Sequence, residues 1–300
     1  MKLSPRISIV TPNFNNADFI EETILSVLKQ DYSDLEYIVV DGGSTDGSLE
    51  IIERYKDHIS CIISEPDNGH ANALNKGFKN ATGDILAWIN SDDLYPLWSF
   101  SIVSDIFSSH KDVHWIKGIH SQWDQYSRLV RVFPGRKYKN IYNFILGDYR
   151  WIQQESVFFT RSLWNKAGAY LDESYQFSID TELWTRFFLH EKLWNVETII
   201  GGYRRHAGNR AIKNYDSVIE ESDRAVSEML KNVDQEKINT AQKIKKAIEY
   251  KSRFSNNRIP LDWSRIINKI YRNELEIARH ESIYFSHGKG WEKGRRDYEI

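Results

Sequence analysis

The first hundred residues alternate between short β-rich runs and segments with helical character. Four β-rich runs span residues 6–12, 35–40, 58–64 and 84–89. The segments between them, at 18–28, 49–55 and 68–80, are predicted helices, and in the first Ile20, Ile24 and Val27 share one helical face. Strands that alternate with helices pair in parallel, because each helix returns the chain to the start of the next strand. The order predicts a doubly wound, largely parallel α/β sheet flanked by helices.

Polar stretches follow three of the four predicted strands. They read TPNFNN after the first strand, DGGSTDGS after the second and NSDD after the fourth. In sheets of this kind, ligands bind in the crevice beyond the carboxyl ends of the strands. The placement of the three stretches therefore predicts a ligand site at this edge of the sheet.

Two adjacent carboxylates, Asp92 and Asp93, end the apolar fourth run. Neighbouring carboxylates repel each other, and burial of an unpaired one is costly. The pair is therefore either exposed to water or compensated by a cation or by hydrogen-bond donors. One interpretation is an ordinary turn and helix cap. The other is a divalent cation, which takes oxygen ligands and leaves coordination positions open for substrate phosphates.

The glycine-rich stretch DGGSTDGS matches neither the dinucleotide fingerprint G-x-G-x-x-G nor the P-loop. It therefore gives no support to a bound dinucleotide or to P-loop chemistry. It is either a plain strand-to-helix turn or part of the predicted ligand edge, since its glycines permit a sharp turn and its Ser and Thr side chains can cap a helix.

Composition excludes several classes of function. The chain has 300 residues, 41% of them hydrophobic, and 40 Lys and Arg against 42 Asp and Glu give a net charge of −2, so no bulk attraction to nucleic acid is expected. The single cysteine cannot form an intramolecular disulfide, which fits a reducing compartment. Neither a signal peptide nor an apolar run of about 20 residues is visible. We expect a cytoplasmic protein, and peripheral contact with the inner face of a membrane stays open.

The remainder of the chain divides into a mixed and a helical part. Residues 113–213 combine short β-like runs with a helical segment, and residues 214–300 are rich in Lys and Glu with helical periodicity. We predict one domain over 1–213, with a ligand-binding half at 1–112 and a catalytic half at 113–213. A helical appendage is predicted over 214–300. Its apolar stripe would suit a homodimer contact or membrane docking equally well.

Further candidate residues lie in this second half. Asp180 precedes an apolar-faced helix, so it is either a helix cap or a general base at the mouth of the sheet. In the stretch YRRHAGNR, Arg204 and His206 form part of a solvated basic loop or meet an anion and a metal. Trp123 and Trp151 stand in polar surroundings, where an indole face can receive a sugar, although core packing is the alternative for any tryptophan.

Five stretches in order resemble the inverting family 2 glycosyltransferases, which have the GT-A fold. They are SIVTPNFNN, VVDGGSTDGS, EPDNGHANALNKGFKNATGDILAWINSDD, QQESVFFTRSLWNKAGAYLDES and DTELWTR, within residues 8–210. The resemblance implies a GT-A type sheet and transfer of a sugar from a nucleotide-diphosphate sugar to an acceptor hydroxyl, with surface polysaccharide or glycoconjugate synthesis as the setting. Asn90 departs from the family's D-x-D metal motif.

The resemblance also implies roles for individual residues. Asp180 matches the catalytic base, Asp93 and His206 would hold Mn²⁺ or Mg²⁺, and Asp92 would meet the ribose or diphosphate. Pro12 and Asp41 match positions that recognise the nucleobase. The remaining expected donor contacts are Thr11, Asn13, Asn68, Asn75, Lys76, Asn90 and Arg204, and the expected acceptor contacts are Trp123, Trp151 and Gln154.

The resemblance implies partners as well, and alternatives from other classes remain. The donor would be a nucleotide sugar, with a UDP-sugar favoured, and the acceptor a carbohydrate or lipid-linked glycan. A sugar nucleotidylyltransferase would need a glycine-rich basic loop after the first strand, and TPNFNN is neither. An inactive nucleotide-sugar-binding module would lose the metal and base carboxylates, which are present. A nucleic-acid partner is not expected, because no basic face is apparent.

Overall fold

The computed structural model describes residues 4–133, 139–150, 152–209, 213–255 and 263–296. Trp151, one of the expected acceptor contacts, lies outside the described residues.

The first part of the chain confirms the predicted alternation of strands and helices. The elements are β1 (Ile7–Asn13), α1 (Ala17–Leu28), β2 (Leu35–Asp41), α2 (Ser48–Glu53), β3 (Cys61–Ser64), α3 (His70–Asn80) and β4 (Ile85–Trp88). Strand β1 pairs in parallel with β2 on one side and with β4 on the other, and β3 pairs in parallel with β2. The carboxyl ends of β1, β2 and β4 therefore meet at one edge, as the sequence predicts.

Helix α3 packs directly on β1 at Gly77. A Cβ atom added at Gly77 would lie 2.3 Å from Cγ1 of Val10, which is closer than side chains approach one another. The absence of a side chain lets the helix approach the strand closely. Val10, Leu74 and Phe78 then form part of one buried apolar cluster on this face of the sheet.

The second part adds antiparallel strands and a small separate sheet. Its elements are α4 (Ser99–Ser109), β5 (Trp115–Lys117), β6 (His120–Trp123), β7 (Leu129–Phe133), α5 (Ile141–Ile145), β8 (Val157–Thr160), α6 (Arg161–Lys166), α7 (Ile179–His190), β9 (Trp194–Val196) and β10 (Tyr203–Arg204). Strand β8 runs antiparallel between β4 and β5, and β10, β6 and β7 form the small sheet. The described residues of this part thus combine short strands with helices, and the predicted division of the domain at residues 112 and 113 stays a prediction.

The C-terminal part is helical up to residue 277 and then becomes a β-hairpin. The elements are α8 (Tyr215–Leu230), α9 (Gln235–Ser255), α10 (Trp263–Ile270), α11 (Arg272–Ile277), β11 (His280–Ser286) and β12 (Gly290–Arg296). The helical prediction is wrong for residues 280–296. Strand β11 pairs in parallel with β9 and buries Ile283, so the hairpin extends the main sheet.

Within the described ranges the main sheet has nine strands, in the order β12-β11-β9-β5-β8-β4-β1-β2-β3. Aromatic rings pack α7 onto its centre: Trp184 stacks on Trp88 with ring centroids 5.5 Å apart and on Trp115 at 5.7 Å. This packing holds the helix beside the strands that end at residues 88–93. In the part of the chain that the structure covers, no helix combines the length and apolarity that a bilayer crossing requires.

Candidate active site

Asp41 organises the turn at the carboxyl end of β2. Its Oδ1 accepts hydrogen bonds from Asn13 Nδ2 at 2.8 Å and from Ser44 Oγ at 2.6 Å, while its Oδ2 accepts from the backbone N–H groups of Gly43 and Ser44 at 3.1 and 3.0 Å. Gly43 has φ +84°, a backbone conformation that favours glycine. Asp41 thereby ties the ends of β1 and β2 together and shapes the turn.

An exposed aromatic ring stands beside this turn. Phe14 follows β1 and is 63% exposed. A Cβ atom at Gly42 would lie 3.3 Å from the Phe14 ring and 2.4 Å from Oδ2 of Asp67. Phe14, Gly42 and Asp67 thus converge on one space at the sheet edge. The sequence analysis missed Phe14, although an aromatic residue within TPNFNN was a visible signal.

Asp92 and His206 form a pair at the end of β4. His206 Nε2 lies 2.9 Å from Asp92 Oδ2, and Asn209 Nδ2 donates to the same oxygen at 3.4 Å. The Asp92 side chain is 22% exposed, so the pair borders open space. Phe19 packs on the imidazole with ring centroids 4.4 Å apart, which fixes the orientation of His206.

Asp93 points into the protein instead. It has no exposed surface; its Oδ1 accepts from the backbone N–H of Arg204 at 2.8 Å and its Oδ2 accepts from Asn90 Nδ2 at 3.1 Å. Both oxygens of Asp93 therefore already accept a hydrogen bond from the protein and neither reaches the surface, whereas Asp92 borders open space. The metal role of Asp93 stays a prediction. Among the residues that the structure describes, no group of three or more His, Cys, Asp or Glu side chains could hold a metal.

Glu155, which the sequence analysis missed, lies against Asp93. Glu155 is 5% exposed and shares a hydrogen bond with Asp93. Burial, together with the charges of Asp180 and Asp92, raises the pKa of Glu155 to about 7. Burial also raises the pKa of Asp93 well above its ordinary value, and the neighbouring Glu155 and Asp92 add to this. The two carboxyl groups therefore share a proton near neutral pH.

Asp180 completes this acidic group from the first turn of α7. Its Oδ1 accepts from the backbone N–H of Thr181 at 2.7 Å. Burial raises the pKa of Asp180 to about 6, and its charge acts on Glu155. The charges of Asp180 and Asp92 both act on the buried Glu155, so these carboxyl groups are near neighbours, and His206 joins them through its pair with Asp92.

Several of the expected donor contacts are engaged by the protein itself. Asn75 accepts from the backbone N–H of Leu171 at 2.8 Å and donates to its carbonyl at 2.9 Å. Lys76 Nζ lies 2.8 Å from Glu65 and donates to the Pro66 carbonyl at 3.0 Å. These two side chains therefore fasten neighbouring loops.

The other expected contacts differ in exposure. Arg204 is fully buried, with Nη1 2.7 Å from Glu22 Oε2 and its guanidinium 5.0 Å from the Phe19 ring centroid. Thr11 and Pro12 are buried in β1, and Asn68 is exposed in the loop before α3. Apart from this ion pair, Nε, Nη1 and Nη2 of Arg204 have no hydrogen-bond partner among the described residues, and the donor contact expected of Arg204 stays a prediction.

The two described acceptor candidates are only partly accessible. Trp123 is half-buried; its Nε1 donates to Ser121 Oγ at 3.1 Å, and its ring lies against Gly202, where a Cβ atom would come within 2.3 Å of Nε1. Gln154 is buried and its Nε2 donates to the Trp88 carbonyl at 2.7 Å. Through this hydrogen bond Gln154 holds the last residue of β4 in place.

The buried pair of Asp93 and Glu155 makes stability depend on pH. The folded state raises the pKa of Glu155 from 4.5 to about 7, so the folded protein binds a proton that the unfolded chain releases, and stability is lost as pH rises through this window. Glu155→Gln removes the ionisation and keeps the shape. The free energy of unfolding of the variant minus that of wild type should therefore increase by about 2 to 3 kcal/mol when the pH is raised from about 5 to about 8.5. Urea denaturation at both pH values measures this, and an equal difference at the two would contradict it.

Comparison with known proteins identifies relatives of this arrangement. Residues 8–127 match the family model of glycosyl transferase family 2. An uncharacterized glycosyltransferase of Rickettsia prowazekii is 30% identical over 210 residues, which cover 68% of this chain and 65% of the relative. The putative teichuronic acid biosynthesis glycosyltransferase TuaG of Bacillus subtilis is 39% identical over 92 residues, covering 30% of this chain and 36% of the relative. The chain thus matches less than two thirds of the length of these relatives.

Solved structures share the fold. TarS of S. aureus, residues 1–349 in complex with UDP-GlcNAc, has a TM-score of 0.65 at 16% identity and covers 79% of this chain and 70% of its own. The mannosyltransferase PcManGT from Pyrobaculum calidifontis, in complex with GDP-Man and Mn²⁺, has a TM-score of 0.53 at 18% identity. The match covers 90% of this chain and 83% of the PcManGT chain. The GT-A type sheet predicted from the sequence is confirmed.

Proposed function

The chain belongs to glycosyl transferase family 2, and we propose that it transfers a sugar from a nucleotide-diphosphate sugar to an acceptor hydroxyl, with inversion at the anomeric carbon. The observation that supports this most strongly is the convergence of Asp92, His206 and Asp180 at the carboxyl edge of the parallel sheet. Ligands of α/β sheets bind at this edge, and these residues supply both an ion site and a base.

In this proposal the nucleobase lies at the ends of β1 and β2. Phe14 offers an exposed ring face on which a base can stack, and Asp67 presents a carboxylate to the same space. Asp41, whose two oxygens accept hydrogen bonds from Asn13, Gly43 and Ser44, keeps the turn in shape and so sets where the base lies. A uracil or guanine N–H donor would suit the Asp67 carboxylate, in keeping with the UDP-sugar favoured from the sequence.

A divalent cation fits the exposed pair of Asp92 and His206 better than it fits Asp93. Asp92 and His206 would supply one carboxylate and one imidazole, and the buried Oδ1 of nearby Asn90, which has no hydrogen-bond partner among the described residues, is a further oxygen two positions before Asp92. Such a set suits Mn²⁺ or Mg²⁺ if the donor diphosphate supplies further oxygens. When bound, the ion would neutralise charge on the departing diphosphate. We therefore assign Asp92 and His206 to the metal, with Asp93 as their buried support.

Asp180 is the base of the proposed reaction. With a pKa raised to about 6, it is ionised at neutral pH yet basic enough to take a proton. The acceptor oxygen forms a bond to the anomeric carbon while the bond from that carbon to the diphosphate oxygen breaks. The acceptor proton passes to a carboxylate oxygen of Asp180, and the nucleoside diphosphate leaves with the electron pair. One displacement of this kind inverts the anomeric centre.

The acceptor is proposed to be a carbohydrate or lipid-linked glycan in the synthesis of a surface polysaccharide. The name of the Bacillus subtilis relative, which refers to teichuronic acid biosynthesis, supports this setting. Trp123 is retained as a candidate acceptor contact because it lies beside Gly202 in the small sheet that precedes His206.

Proton NMR of a reaction mixture tests the proposed function. Wild-type protein with diamagnetic Mg²⁺ and UDP-GlcNAc, or with GDP-mannose, is expected to release the nucleoside diphosphate and to form, first, the sugar anomer opposite to that of the donor. Water serves as the acceptor when no glycan is supplied. Retention of the donor anomer would contradict inversion, and no release from either donor, together with no nucleotide binding, would contradict the transferase function.

A further inference from the structure

A glutamate from α8 holds the loop that leads into Asp180. Glu221 Oε2 accepts backbone N–H bonds from Gln176 at 3.1 Å, Phe177 at 2.8 Å and Ser178 at 2.9 Å, and Oε1 accepts a second bond from Gln176 at 2.9 Å. Three successive backbone donors therefore converge on one carboxylate. Asp180 follows this loop two residues later, in the first turn of α7.

The residues around Glu221 bind the same loop. Ser178 Oγ donates to the Val218 carbonyl at 2.8 Å, and Ser222 Oγ donates to Ser178 Oγ at 3.0 Å. Arg224 Nη2 donates to the Ser174 carbonyl at 3.0 Å. Helix α8 thus contacts the loop over residues 174–178 through one face, with Glu221 at the centre of these contacts.

Helix α7 lacks a side-chain cap of its own. Its N-cap residue is Ser178, whose hydroxyl is directed to α8, and no side chain of the loop caps the helix. The free N–H groups at a helix start need acceptors and favour negative charge. Of these groups, the N–H of the N-cap residue Ser178 finds its acceptor outside the helix, on Glu221, so the start of α7 is tied to α8.

We propose that Glu221 is a positioning residue that sets the place of Asp180 for proton transfer. The inference rests on the proposed function, in which Asp180 is the base. It also gives α8 a role in the catalytic site, although the helix lies beyond residues 8–127 that match the family model.

Three substitutions separate geometry from charge. Glu221→Gln keeps the length and one acceptor oxygen, so Phe177 and Ser178 retain their partner although the charge is lost. Glu221→Asp keeps the charge but withdraws the oxygens by about 1.5 Å, one carbon–carbon bond. Glu221→Ala removes the acceptor. If position matters more than charge, Gln will preserve the reaction better than Asp.

The experiment measures kcat for release of UDP from UDP-GlcNAc, or GDP from GDP-mannose, with Mn²⁺, together with the Kd of the nucleoside diphosphate. We expect Glu221→Asp and Glu221→Ala to lower kcat by about 10- to 100-fold with unchanged Kd, since a misplacement of about 1 Å has effects of this size. Glu221→Gln is expected to stay near wild type. Glu220→Gln, an exposed neighbour on the same helix, is the control and should change neither quantity.

Hydrogen exchange of the 176–178 amides gives a second readout that does not depend on turnover. Protection should be lost in Glu221→Ala and kept in Glu221→Gln. If wild type is active, two results would overturn the positioning role alone. One is full kcat in Glu221→Asp, and the other is a loss of kcat in Glu221→Gln as large as that in Glu221→Asp. Parallel loss of kcat and nucleotide binding in Glu221→Asp would also overturn it, because that is the result of general damage. A wild type that neither binds nucleotide nor turns over contradicts the proposed function, and this inference with it.

Discussion

Replacement of Asp180 by Asn is expected to lower kcat by about 10²- to 10⁴-fold while the Kd for nucleoside diphosphate remains that of wild type. The amide keeps the size of the side chain, and its oxygen can still accept from Thr181, so α7 should start as before. What is lost is the ability to take the acceptor proton. Turnover of UDP-GlcNAc or GDP-mannose and nucleotide titration measure the two quantities separately.

The pH profile of the same reaction gives a second signature of Asp180. Because the ionised form is the base and its pKa is raised to about 6, wild-type kcat should rise with pH through that value and then level off. Glu182→Gln serves as the control, since Glu182 lies in the same helical turn but bonds to Arg186 at 2.7 Å. That variant should keep both kcat and the profile. Undiminished transfer by Asp180→Asn would assign the base to another group.

The sheet edge was predictable because its signals are local. Alternating strand and helix segments occur within the first hundred residues, and polar stretches directly follow three strands, so the position of Asp41 and Asp92 at one edge follows from the rules of parallel sheets. The sequence also predicted a helix directly after Asp180, and the structure begins that helix one residue before Asp180, at Ile179. None of this required knowledge of distant contacts.

The separate environments of Asp92 and Asp93 were not predictable in the same way. The two residues are neighbours of the same type, and only the folded chain decides which one turns inward. Asp93 is buried because Arg204, more than a hundred positions later, donates its backbone N–H to it. Glu155 was missed for a similar reason, since a glutamate next to an apolar strand gives no sign that it will face Asp93.

The C-terminal hairpin, by contrast, has local strand and turn signals in its sequence, although a helix was predicted there. Residues 280–286 contain β-branched and aromatic side chains, and Gly288 and Gly290 adopt positive φ values in the turn that follows. The Lys- and Glu-rich helices before it favoured a helical interpretation of the whole segment. The role of α8 in holding the 176–178 loop was invisible, because the bonds to Glu221 join backbone groups whose positions the sequence does not reveal.

Asp92→Asn is expected to abolish the Mn²⁺-dependent part of nucleotide binding. Asp92 is the partly exposed carboxylate of the pair with His206, and Asn in its place lacks the charge that a divalent ion requires. The affinity for UDP or GDP in the presence of Mn²⁺ should fall by more than about 100-fold, since loss of groups that merely support metal ligands already costs 10- to 100-fold.

Asp93→Asn is the matched control for this prediction. It is an equal change at the adjacent residue, and its side-chain oxygen can still accept the backbone N–H of Arg204. If Asp93 is a buried support, this variant should keep Mn²⁺-dependent binding. Loss of binding in Asp93→Asn and its retention in Asp92→Asn would return the metal role to Asp93.

Calorimetric titration of UDP and GDP into wild type and Asp92→Asn, each with and without Mn²⁺, tests the account most directly. We expect that wild type binds at least one nucleotide, that Mn²⁺ strengthens this binding, and that Asp92→Asn removes the strengthening. Equal binding with and without Mn²⁺ in both proteins, or no binding of either nucleotide to wild type, would contradict a nucleotide-diphosphate site built on Asp92.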